Sequence, residues 1–270
     1  MSSTKQPAIA KIEAKTIIDL IASNRRMDER TPTDYRELKI EVGVIEKANG
    51  SAKVHLGKTK ILVGVKVELG DPFPDTPEDG ILTVNAELVP LASPSFEPGP
   101  PDENSIELAR VVDRGIRESK AIDLKKLCIE PGKKVFVVFV DVYVLDHDGN
   151  LIDASALGAL AAILNAKMRD YEIKDNEVIY KEGLIPLPIQ NYPIATTMGK
   201  IGSSLVIDPS LKEEQAMTAR LTVTIEKNGH ICAMQMAGLG ELSIDELKKA
   251  VEMAVTKSSE MRARVMEAAK

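Results

Sequence analysis

Tryptophan is absent from this 270-residue chain, aromatic residues make up only 3% of it, and cysteine occurs twice, at Cys128 and Cys232. Each shortage excludes something. Two distant cysteines form neither a CxxC pair nor a dense framework, so a disulfide-stapled secreted domain is excluded and a reduced, intracellular setting is the simple reading. With so few rings there is little for bases to stack on, and a nucleic acid, if held, must be held by its backbone. Positive charge is not in surplus either: 35 Lys and Arg against 41 Asp and Glu give a net charge of −6. Binding of nucleic acid by bulk charge is thereby excluded, and only a local basic stripe is left as an electrostatic route. The three histidines, His55, His147 and His230, follow no HExxH or paired-ligand spacing, so no metal site is assigned. GxSxG, P-loop and GxGxxG motifs are missing, which argues against a hydrolase elbow, an NTPase and a dinucleotide enzyme. Long apolar runs are lacking as well. The longest, Val135 to Leu145, is broken by Asp141 and falls short of the roughly 20 residues a membrane helix needs. The opening MSSTKQPAIAKIEAK interleaves charges and contains no signal-peptide core. A cytoplasmic protein without a membrane partner is the expectation.

What is present is ordinary globular composition, 44% hydrophobic and 28% charged, in a chain long enough for one large domain or two small lobes. Residues 8–24 space Ile9, Ile12, Ile17, Leu20 and Ile21 as one face of an amphipathic helix. From Tyr35 to Pro90, short Val, Ile and Leu runs punctuated by glycine read as strands, with a hairpin turn at Leu56-Gly57-Lys58-Thr59. Prolines crowd between residues 72 and 101, so two irregular loops bracket a strand near 81–89. A helix over 103–120, capped by Asp102 or Asn104, precedes a buried strand over 134–145 and an Ala-rich helix over 154–168. Strands near 194–198, 203–207, 219–226 and 230–236 lead to a last helix over 243–268, where Ser243 and Glu246 fit a capping box. The sequence of strands and helices predicts an α+β protein of two similar lobes: an N-terminal helical extension over 1–30, then lobes over 31–190 and 191–270.

The helix over 103–120 carries the clearest candidate site. At about 100° per residue, Arg110, Arg114 and Arg117 share one side while Leu108, Val111, Val112, Gly115 and Ile116 fill the opposite arc. Three guanidiniums pointing away together repel one another unless something anionic answers them. Helix geometry leaves two readings open: carboxylates paired across an interface, or the phosphates of a nucleic-acid backbone, whose oxygens match the guanidinium fork. The turn Asp146-His147-Asp148-Gly149-Asn150 imitates a calcium loop but has Leu151 at the sixth position and Leu157 at the twelfth, so it reads as a strand-to-helix turn. Asp208, Glu213 and Glu214 read as acids in a solvated connecting loop.

Four segments, in order, resemble the RNase PH superfamily: RRMDERTPTDYREL, GSAKVHLGKTKILVGVKVELG, IELARVVDRGIRES and DVYVLDHDGNLIDASALGALAAIL. The likeness runs from about residue 25 onward and is strongest to the non-catalytic RNase PH-like ring subunit of the archaeal exosome. It implies the RNase PH-like fold (ribosomal protein S5 domain 2-like), with two pseudo-repeated lobes. It implies a ring made as a trimer of heterodimers with a catalytic RNase PH-like subunit that degrades RNA 3′ to 5′ using inorganic phosphate, with RNA-binding cap subunits and single-stranded RNA as further partners. Catalytic relatives hold phosphate in a GG-[ST]-R loop. Here that stretch is Gly149-Asn150-Leu151-Ile152-Asp153, without hydroxyl or arginine. Of the family's two aspartates, Glu214 falls at the first and Thr218 at the second, and a threonine has no pKa suited to donating a proton near pH 7. The resemblance therefore implies no catalytic residue and no cofactor bound by this chain, and gives Arg110, Arg114 and, in third place, Arg117 a role on RNA phosphates. The competing expectation is an autonomous phosphorolytic exoribonuclease using Glu214 and Asp208 as acids.

Overall fold

The structure is a computed structural model and describes residues 11–174 and 177–270. The chain starts with α1 (Lys11–Ala22), then lays down β1 (Leu38–Val42), β2 (Gly50–Leu56), β3 (Thr59–Gly70) and β4 (Ile81–Leu88). Next come α2 (Glu103–Glu118), β5 (Cys128–Glu130), β6 (Lys134–Asp146) and α3 (Leu151–Asn165). These strands form one sheet in the order β1-β2-β3-β6-β4, with β5 beside β6. All its pairs are antiparallel except β4 with β6. The hairpin between β2 and β3 turns at Gly57, whose φ of +57° suits glycine, and a Cβ there would lie 2.7 Å from Arg36 Cδ.

A hairpin of β7 (Lys167–Lys174) and β8 (Glu177–Pro186) follows, for which the sequence pattern gave no expectation. The second sheet contains β9 (Ile194–Ile201), β10 (Ser204–Ile207), β11 (Ala219–Ile225) and β12 (Ile231–Gly238), in the antiparallel order β10-β9-β11-β12. A short α4 (Leu211–Ala216) joins β10 to β11, and α5 (Ile244–Ala268) closes the chain. Ser243 and Glu246 do form the reciprocal capping box of α5.

The Ala-rich helix α3 sits between the two sheets, which explains why it is apolar all round. It packs on β2 and β3 on one side and on β9 on the other. Ala154, Ala159, Ala161, Ala162 and Ile163 are completely buried. At Gly158 a Cβ would come within 2.9 Å of Val63, so small residues set how closely the helix approaches the first sheet. Alternate residues of β6, Val138, Val140, Val142 and Val144, complete that core; each fully buried valine contributes roughly 1.5–3 kcal/mol. α3 runs three residues earlier than the sequence pattern suggests, because Asn150 caps it from a left-handed conformation (φ 51°) and Asp153 is buried in its first turn. Its expected end is also displaced, since Lys167 and Met168 belong to β7 and the Lys167 amide bonds to Asn49 O. Of the expected face of α1, only Ile17 and Ile21 are buried, against Ile201 and Val206 of the second lobe, while Ile12 is exposed; Ile9 lies outside the described residues.

Candidate nucleic-acid interface

α2 begins at Asp102, whose carboxylate accepts the Ser105 amide at 2.8 Å. Leu108, Val111, Val112, Gly115 and Ile116 are buried, and a Cβ at Gly115 would meet Thr224 of the second sheet at 3.5 Å, ordinary contact. The three arginines lie on the other side, but they are not equivalent. Arg110 is exposed and has no hydrogen bond or ion pair among the described residues. Arg114 is half-buried; its Nη2 donates to Gln235 Oε1 of β12 at 2.5 Å, and its Nε is buried without a partner. Arg117 is engaged within its own lobe: Nε and Nη2 fork onto the Asp113 carboxylate at 2.9 and 2.6 Å, and Nη2 also donates to Leu82 O at 2.8 Å. The bare cationic face expected from the helical wheel is therefore corrected. Asp113, one turn before Arg117, neutralises one of the three charges.

Of the acids at 208–214, expected in a solvated loop, Asp208 and Glu213 are buried and Glu214 is half-buried. Asp208 is fully buried at the junction of the lobes, where Arg36 Nη2 and Nε grip its two oxygens at 2.8 and 2.9 Å. The Arg36 amide, Arg30 Nη1 and Asn150 Nδ2 complete the set at 2.8, 3.0 and 2.8 Å. Burial alone would raise the Asp208 pKa, but the bonds and charge of Arg36 outweigh it and hold the carboxyl below its ordinary value. Glu213 is buried in a two-pronged pair with Arg26, at 2.8 and 2.5 Å, and Arg26 also donates to Ile207 O and Asp208 O. The sequence signal for these partners was the run of arginines and acids in RRMDERTPTDYREL, whose contacts across the chain no spacing rule could supply.

The turn after β6 meets the same junction. Gly149 has φ +87°, and a Cβ there would lie 2.5 Å from both Leu211 N and Ser210 C, so this turn is packed directly against the chain leading into α4. Asp148 O accepts the Leu211 amide at 3.0 Å. The Asn150 amide donates to Glu214 Oε1 at 2.8 Å, which brings Glu214 onto the first turn of α3. Burial raises the Glu214 pKa to about 7. Asp153 rises to about 6 for the same reason, despite bonds from Asn150, Thr197 and Tyr35. His147, stacked on Phe96 at 5.3 Å, is pushed down to about 4 by burial and by Arg36. Thr218 is exposed, its hydroxyl 3.3 Å from Lys200 O. The turn over 149–153 thus contains a single carboxylate, the buried Asp153, and meets a second, Glu214, from α4. Among the described residues no group of three or more His, Cys, Asp or Glu side chains is arranged to hold a metal, and no helix is long and apolar enough to cross a membrane.

Comparison with known proteins agrees with this architecture. Domain 1 of the 3′ exoribonuclease family matches residues 34–169, and domain 2 matches residues 191–257. The exosome complex component Rrp42 of Thermococcus kodakarensis is 53% identical over 98% of both chains, and that of Methanothermobacter thermautotrophicus is 50% identical over 94% of both. A chain in the structure of the Archaeoglobus fulgidus exosome with RNA bound to the active site superposes with a TM-score of 0.86 at 45% identity, covering 94% of this chain and 97% of that one. With both domains matched in order and half of all residues shared along nearly the whole length of such relatives, the chain belongs to the RNase PH, or 3′ exoribonuclease, family.

Proposed function

We propose that this chain is a ring subunit of an archaeal-type exosome, catalytically silent by itself, which pairs with a catalytic RNase PH-like chain in a trimer of heterodimers and lends α2 to the RNA path. The observation that carries the reading is a contrast in engagement. The acids a nuclease would need are engaged within the chain, with buried Asp208 locked onto Arg36, buried Glu213 onto Arg26 and half-buried Glu214 bonded to the Asn150 amide. Arg110, by contrast, is exposed without a partner among the described residues, and Arg114 is half-buried with Nη2 bonded only to the neutral Gln235 amide.

The second sheet supports the pairing. β12 is an edge strand, and Ile231, Met234 and Met236 on it are 44%, 38% and 46% exposed, with Leu239 beyond them fully exposed. An open strand edge bearing apolar side chains is poorly suited to life as a monomer and well suited to a partner chain. On this reading inorganic phosphate is used in the partner's site, cap subunits add further RNA contacts, and the assembly works in the cytoplasm. The test is an activity assay on single-stranded RNA with inorganic phosphate. The purified chain alone shortens no RNA, whereas its mixture with the catalytic subunit does, and native mass spectrometry finds three copies of each. Phosphate-dependent shortening by the single chain would overturn the proposal.

A further inference from the structure

Where α2 meets the second lobe, two guanidiniums are held in different ways. Arg220 of β11 donates from Nη2 to Glu107 of α2 at 2.7 Å, an ion pair in which each charge answers the other. Two turns further along α2, Arg114 donates from Nη2 to the Gln235 amide oxygen of β12 at 2.5 Å and makes no ion pair among the described residues. Gln235 is itself held. Its Nε2 lies 3.4 Å from Met236 O, which turns the amide so that its oxygen faces α2. Directly opposite on β11 stands the buried Thr222, whose hydroxyl lies 2.8 Å from that of Thr197, which in turn bonds to Asp153 of α3. Within the Arg114 fork, Nε is buried without a partner, Nη2 is taken, and Nη1 is neither bonded among the described residues nor buried. A guanidinium is planar, so fixing Nη2 also fixes the direction of Nη1. The outward donor is therefore aimed by the amide.

We propose that Gln235 is a positioning residue for RNA binding: its amide aims the Arg114 guanidinium so that Nη1 takes a phosphate oxygen with the charge of the side chain intact. The inference deepens the reading of α2 as a contact to the RNA backbone and rests on that reading. A carboxylate in place of this amide would hold Arg114 more firmly, as charge-assisted bonds do, but would also answer its charge. Asp113 does this to Arg117, and Glu107 does it to Arg220. A hydrocarbon side chain of like length would leave the charge and lose the aim. An uncharged acceptor keeps both, and a guanidinium already held in place loses less side-chain freedom when a phosphate arrives.

The test uses the ring assembled with the catalytic subunit and a labelled single-stranded RNA oligonucleotide in phosphate-free buffer. Fluorescence anisotropy is read across a salt series, and native mass spectrometry checks that each variant still assembles. Arg114→Ala is the reference and should lower the slope of log affinity against log salt by about 0.7. Gln235→Glu keeps the bond and answers the charge, so it should lower the slope by about the same 0.7. A merely structural tie between the lobes would survive that change. Gln235→Met keeps the charge and loses the aim. It should weaken binding about two- to tenfold at constant salt, the range of one lost hydrogen bond, yet leave affinity unchanged where Arg114 is already Ala. If Arg114→Ala moves neither slope nor affinity, Arg114 lies off the RNA path, and the reading and the inference fall together. A slope lowered by Arg114→Ala but unmoved by Gln235→Glu, or a Gln235→Met effect that persists without Arg114, would overturn the inference alone.

Discussion

Arg114 of α2 and Gln235 of β12 meet across the two lobes, with guanidinium Nη2 2.5 Å from the amide oxygen Oε1. A neutral acceptor fixes the orientation of the side chain without cancelling its charge, which sets Arg114 apart from Arg117, whose charge is met by Asp113. Position and charge together are what a phosphate contact needs.

Loss of Arg110 and Arg114 should therefore be read most directly in salt dependence. Each phosphate contact to a single strand contributes about 0.7 to the slope of log affinity against log salt. In the assembled ring, the double change of Arg110 and Arg114 to Ala should reduce that slope by about 1.4, whereas Arg117→Ala should reduce it less because Asp113 already holds that guanidinium. Fluorescence anisotropy with a labelled oligonucleotide across a salt series measures both. An unchanged slope in the double variant would make the subunit a spacer without RNA contact.

The lobe junction predicts a large stability effect from a change far from α2. Asp208→Ala leaves Arg36 and Arg30 without the carboxylate that both bind. Breaking a buried pair by removing one partner costs about 3–5 kcal/mol. The expected outcome in urea is a lower midpoint with an unchanged m-value, and a loss below about 1 kcal/mol, the range of exposed pairs, would show that the network is not structural.

Opposite pKa shifts give this junction a pH signature. Glu214 is raised from 4.5 to about 7, so the folded state holds a proton that the unfolded state releases between those values. Its contribution therefore favours the fold as pH falls from 7 toward 4.5, by up to about 1.4 kcal/mol per unit in that window. Asp208 is lowered, so the stability it supplies is lost only as pH falls below 3.8. His147 is lowered from 6.5 to about 4, which costs stability as pH falls between those values. In Glu214→Gln the Glu214 contribution disappears. The variant should gain on the wild type steadily between pH 4.5 and 7 and keep a constant margin above, in denaturant unfolding across a pH series. A margin that does not depend on pH would mean that Glu214 is not perturbed.

Periodicity made much of this molecule legible, and the rest was hidden for identifiable reasons. The apolar arc of α2 and the capping box of α5 are local patterns, and the structure has both. Asn150 was obscure because a left-handed cap looks like a loop residue until its amide and side chain are seen to serve α3, Glu214 and Asp208. The hairpin β7–β8 was invisible because Tyr171, Ile173, Ile179 and Tyr180 alternate with charges too irregularly to separate strand from loop. Glu213 and Glu214 share a short helix and read alike in sequence, yet one pairs with Arg26 and the other with a backbone amide. Tertiary partners decide between such neighbours.

The same logic applies to β12, where register determines which side chains a partner would meet. Met236 stands opposite Leu221 and Met234 opposite Val223, so all four share one face of the second sheet. On β11 that face is covered by Ala250 and Ala254 of α5, but the cover does not extend fully over β12. Replacing Met234 and Met236 by Glu puts charge on partly exposed positions and should cost the isolated chain little stability, within about 1 kcal/mol of the wild type. Buried under a partner, the same charges would have to be desolvated or neutralised. The double variant should therefore keep its unfolding midpoint while the complex with the catalytic subunit weakens at least tenfold, as read by size-exclusion chromatography over a dilution series. Association at wild-type strength would place the seam between subunits elsewhere than along this strand.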